Sequence, residues 1–250
     1  VALRLRGSWQ ECCRGRAHGL NKRMPTPAAS SPAALLDARL QEFNLLPSRS
    51  LHAERARALD GAGDALAQQP AVQRALHRRW SAQLLAQLGE HAQPVLDLSH
   101  AALPLALAAP ALLARLARDA GVTLLGGHLR RTIARDAVLQ ARSALGDASL
   151  DWARQGAAAL HPGLEAPGPW IAPGLDRGAD LLGAGLLAQA WHDAPAPIRL
   201  RADWKLAPAA VDTPAVRAAS TLDARGARQL CLQLLARLDP AWLSSFPATR

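Results

Sequence analysis

Between Val72 and Leu88 the apolar side chains Val72, Leu76, Trp80, Leu84 and Leu88 fall at every fourth position. Only a helix puts that spacing on one side, and the same period returns along most of the chain. The core has to be aliphatic. Half of the 250 residues are hydrophobic, yet there are seven Trp, two Phe and no Tyr, so Leu, Ala and Val must fill the interior. Together these predict a mainly α protein.

Punctuation divides the chain. Ser31-Pro32 is a hydroxyl cap followed by proline, and predicts a helix from Pro32 to Leu46 ended by Pro47. Gly61 and Gly63 mark a loop, and Pro70 opens the helix that carries the ridge above. Leu112, Leu113 and Leu116 predict a buried helix after Pro110, broken at Gly121. A further helix is expected from Val122 to Leu145. On its wheel Leu129, Ile133, Ala134, Ala137, Ala141, Ala144 and Leu145 share one side with Arg130, while Arg131, Arg135 and Arg142 form a stripe opposite, flanking Val138. Arg130 is therefore a candidate structural charge. Arg131, Arg135, Val138 and Arg142 are candidate partner-binding residues.

Gly146-Asp147 restarts a helix, and prolines and glycines between 162 and 174 predict a rigid loop around Trp170, which either fills a core gap or anchors a partner. Leu175 to Trp191 reads as helix. Ile198, Leu200, Ala202, Trp204 and Leu206 then alternate with Arg199, Arg201, Asp203 and Lys205, which predicts a strand near 197–206 with one wet face. The fold expected is thus a single helical domain with a minor β component. Ala227, Leu230, Cys231, Leu234 and Leu238 close it with an amphipathic helix stopped by Pro240.

The net charge of +9 is unevenly placed. Residues 1–23 carry six basic side chains against Glu11 alone, five of the nine net charges, and end at Met24, the one methionine. Residues 1–30 are expected to be a disordered basic leader, with translation starting at Met24 and residues 1–23 dispensable, and residues 31–250 the helical domain. The rival reading of the leader is a basic arm for nucleic acid or lipid. Nearly all the positive charge is Arg, Lys22 and Lys205 being the only lysines.

Chemistry is sparse. Gly183-Ala-Gly185-Leu-Leu-Ala188 matches a dinucleotide fingerprint, but the preceding residues read as helix rather than buried strand, so close helix packing is the better account. The histidines are scattered, and Cys231 lies on the apolar face of its helix as an inert thiol. Asp147 and Asp151, four apart at a helix start, favour the helix dipole over acid-base work. No catalytic, cofactor or metal site is expected. Cys12, Cys13 and Cys231 make no disulfide framework and fit a reducing cytoplasm. The apolar stretch 101–114 is interrupted by prolines and falls short of the ~20 residues a membrane span needs.

The run Gly121-Val-Thr-Leu-Leu-Gly126-Gly-His-Leu129-Arg130-Arg131-Thr-Ile133, then Gly168-Pro169-Trp170, Leu206-Ala-Pro208, and the closing Leu230-Cys231 with Pro240 and Phe246, resembles the SctK family of type III secretion systems, which includes YscK and PscK. The resemblance covers residues 94–246. It implies a mainly helical fold with a small β component and a non-enzymatic cytoplasmic adaptor of the injectisome sorting platform. Its implied partners are the pod protein SctQ and the cytoplasmic domain of the ring protein SctD, at the inner face of the bacterial inner membrane. The competing readings are a basic nucleic-acid-binding regulator and an enzyme of another type.

Overall fold

Glycine decides where the two central helices meet. The computed structural model describes residues 31–59 and 69–247, so the expected leader and the start at Met24 lie outside the described residues. Within them the chain forms α1 (Pro32–Leu45), α2 (Ala53–Leu59), α3 (Pro70–Gln87), α4 (Leu103–Ala106), α5 (Pro110–Arg131), α6 (Arg135–Leu145), α7 (Asp147–Gln155) and α8 (Ala157–Leu160). There follow α9 (Gly168–Ile171), α10 (Leu175–Ala190), α11 (Ala196–Asp203), α12 (Pro208–Asp212), α13 (Pro214–Ala218), α14 (Ala224–Leu238) and α15 (Pro240–Ser244). Proline occupies the first turn of most of these helices, where its missing N–H costs nothing.

α5 and α10 pack along their lengths, and nearly every position of α5 from Ala120 to Gly127 is buried. A Cβ on Gly121 would be driven into the carbonyl of Ala179, and one on Gly183 into that of Ala117. The two backbones therefore touch with no side chain between them. Gly121, expected to break the helix, is instead its closest contact: an interior glycine costs roughly 1 kcal/mol of propensity, and the packing it permits offsets that. Gly185 lies against Val216 of α13, whose side chain and carbonyl a Cβ there would meet. The Gly183-Gly185-Ala188 pattern is thus mid-helix packing. α7 and α14 lean on α5, and α12, α13 and α14 on α10. The Arg237 guanidinium of α14 lies 4.1 Å over the Trp152 ring of α7 and pairs with Asp119 of α5. The Trp152 indole N–H donates to the Thr123 hydroxyl at 3.0 Å.

The fold is mainly α, and the strand predicted near 197–206 is a correction: those residues form α11 and the turn after it, and there is no strand among the described residues. Pro195 and Pro197 fix the helical entry. The charges taken for a wet face point inward. Arg201, 1% exposed, donates to the carbonyls of Pro197, His91 and Ala92 at 2.9, 3.3 and 2.7 Å. Lys205, one turn on, donates to the carbonyls of Ala106 and Ala108 at 2.6 and 3.0 Å. Asp203 accepts from the Trp191 indole at 2.8 Å. These two cations satisfy the backbone of the irregular, proline-rich stretch between α3 and α5, which cannot pair its own carbonyls. Asn44 of α1 clamps the same stretch, exchanging two hydrogen bonds with the Val95 backbone at 2.8 and 2.9 Å.

Gly183→Ala is expected to cost at least about 3 kcal/mol in chemical denaturation, because backbone cannot yield, while Gly168→Ala, whose Cβ meets nothing, stays within about 0.5. Lys205 gives a pH signature. Burial lowers its pKa from 10.5 to about 7, so between those values the unfolded chain holds a proton that the folded chain does not, and stability rises with pH. Burial pushes the Cys231 thiol up, which works in the opposite sense once a free thiol would ionise, near ~8.5. His77, His100 and His161 are all shifted down from 6.5 and have titrated by then. The wild-type denaturation midpoint should therefore climb between about pH 7 and 8.5, and Lys205→Met should flatten that slope.

Candidate functional site

α5 is the rod on which two concave surfaces are built. At its C-terminal end the helix stops at Arg131, where the Thr132 hydroxyl and N–H both donate to the His128 carbonyl. That back-bonding diverts the chain from the helical path. Three residues later α6 begins on a new axis, so the helix expected from Val122 to Leu145 is two helices with a corner at 132–134. Ile133, assigned to the buried side of the wheel, is 88% exposed at that corner. It lines a groove of about 670 Å³ with Arg130, Arg135, Val138, Leu139 and Arg154 of α7.

At the other end of α5 lies a cleft of about 1050 Å³ between α2, α5, α10 and the residues after α11. Its apolar floor includes Leu113, Leu181 and Leu206, and its walls carry Arg115, Arg118 and Arg177. Arg118 grips Asp180 with two bonds of 2.5 and 2.8 Å, tying α5 to α10 across the cleft. Asp119, beside it, is held by Arg237, and burial raises its pKa in spite of that pairing. Arg115 and Arg177 have no ion-pair partner among the described residues.

The residues singled out from the sequence do not form one stripe. Arg135 and Val138 meet in the groove. Arg131 is exposed on the last turn of α5, outside the groove lining, and Arg142 is committed to Asp147 at 2.5 Å. Asp147 opens α7 and so keeps its place at a helix start. Trp170 sits in the single turn α9, half-buried against the core, with its carbonyl pressed on Gly178. Arg130 runs back over its own helix. Its Nη1 lies beside Gly126, buried and without an acceptor, and its Nη2 donates to the Pro162 carbonyl at 3.1 Å. The wheel missed Ile133, Leu139 and Arg154. The adjacent Thr132 and Ile133, both β-branched and poor helix formers, were the signal for the corner.

Two groups capable of covalent chemistry, the Cys231 thiol and the Ser48 hydroxyl, are buried. Cys231 is fully buried in α14. The Ser48 hydroxyl lies 3.0 Å from His77 Nδ1, but it also contacts the His77 carbonyl and the Ser81 hydroxyl, and no carboxylate bonds that ring among the described residues. No helix is long and apolar enough to cross a membrane among the described residues. Comparison with family models, with curated proteins and with solved structures gives no match.

Arg130→Ala is expected to cost about 1–2 kcal/mol in urea denaturation, since it removes the strap to Pro162 and the cover over Gly126. Arg131→Ala should stay within about 0.5. Equal effects would overturn the distinction.

Proposed function

We propose that the chain is a non-enzymatic adaptor that holds two proteins at opposite ends of α5. The observation that carries this reading is the placement of two separate concavities on one buried rod. Asp119, in the cleft, and Arg131, beside the groove, lie about 18 Å apart along the helix axis at ~1.5 Å per residue. Each concavity joins aliphatic side chains to two guanidinium groups without an ion-pair partner among the described residues, Arg115 and Arg177 in the cleft and Arg135 and Arg154 in the groove, a composition suited to protein partners.

The resemblance to the SctK family supplies the partners for this reading: the pod protein SctQ and the cytoplasmic domain of SctD, with the adaptor working in the cytoplasm against the inner membrane of a type III secretion system. Against a nucleic-acid regulator stands the pairing of the arginines. Arg39, Arg118, Arg142, Arg228 and Arg237 are each held by a carboxylate, and five of the nine net positive charges fall in residues 1–23.

Calorimetry with the purified chain should detect binding to both SctQ and the SctD domain. Arg115→Glu with Arg177→Glu should weaken one partner about tenfold or more, and Arg131→Glu with Arg135→Glu the other, the fold staying intact by circular dichroism. Wild-type protein that binds neither partner would end the adaptor reading.

A further inference from the structure

The groove at the corner between α5 and α6 is the most exposed apolar feature among the described residues. Ile133 is 88% and Leu139 48% exposed, and Val138 lies between them. Every charged residue lining the groove is an arginine: Arg130, Arg135 and Arg154. Arg130 is engaged by Pro162, whereas Arg135 and Arg154 make no hydrogen bond or ion pair to a side chain among the described residues. The nearest carboxylates in sequence, Asp136 and Asp151, lie outside the lining. An aliphatic strip between free guanidinium groups is the complement of a helix with an apolar row flanked by Asp and Glu.

We propose that this groove is a docking site for an acidic amphipathic helix of a partner protein, an inference that rests on the adaptor reading and names the chemistry of one of its two partners. Three features select that occupant. The described residues contain no strand, so they offer no sheet edge for an extended peptide, and an aliphatic groove suits the helix-in-groove mode. A phosphate backbone would use the arginines but gain nothing from Ile133, Val138 and Leu139, and the lining has no aromatic ring on which a base could stack. A concave surface fits a protruding row of side chains better than the flat face of a bilayer.

The test uses the whole chain and a fluorescent synthetic helix with Leu at i, i+3, i+4 and i+7 and Glu on the flanking positions. A Lys-for-Glu copy of that peptide, a mixed-sequence single-stranded oligonucleotide and vesicles of about three parts phosphatidylcholine to one of phosphatidylglycerol run beside it. The acidic peptide should bind, more weakly as salt rises, and Ile133→Glu or Arg135→Glu should weaken it about tenfold or more. Ile133 is exposed, so its variant should keep the wild-type melting temperature. The proposal is overturned if the variants bind the acidic peptide as wild type does, if the Lys peptide binds equally, or if only vesicles or oligonucleotide bind in an Ile133-dependent way. Titrating SctQ and the SctD domain in parallel separates the two readings. Peptide binding with neither partner bound leaves the groove standing and removes the adaptor; both partners bound equally by wild type and Ile133→Glu, with no peptide bound, does the reverse.

Discussion

The backbone contact between α5 and α10 governs the rest of the structure. Gly121 and Gly183 let the two helices approach until carbonyl and Cα meet, and each occupies the position where a methyl group would strike the other helix. With that pair in place, α7 and α14 cover α5, and α12, α13 and α14 cover α10, by burying Leu and Ala. A core poor in aromatic residues compensates by packing many small side chains at short range.

A second requirement follows from what lies outside the helical pair. The stretch between α3 and α5 runs through Pro94 and Pro104 with little helix, so its carbonyls need donors from elsewhere. Arg201 of α11 and Lys205 of the turn after it provide them, and Asn44 does the same from α1. Burial without a carboxylate in contact is costly for a cation, and it lowers the Lys205 pKa to about 7 although the ammonium lies over the Phe43 ring. These donors join the N-terminal helices, the irregular stretch and the C-terminal half in one polar network.

This network explains what could be read from the sequence and what could not. The proline starts of α1 and α3 and the amphipathic spacing of α14 were legible because their signals are local. α11 was misread as a strand because alternation of Ile198, Leu200 and Ala202 with Arg199 and Arg201 assumes that charge means water. Arg201 is charged and buried, and only the distant carbonyls of His91 and Ala92 say so. Gly121 was read as a breaker because its partner, Ala179, is far away in sequence. At the groove, Arg135 and Val138 were legible as surface residues of one helix. Ile133 and Arg154 join them through a corner that carries no glycine or proline, so a continuous wheel placed Ile133 on the wrong side.

On the proposed adaptor reading, one helix separates two docking surfaces, and both should be filled together. The direct measurement is the mass of the assembly formed when the chain is mixed with SctQ and the SctD cytoplasmic domain, read by light scattering after size exclusion. A single species containing all three proteins is expected. Two binary complexes that compete, with no ternary species at saturating concentrations, would contradict the account.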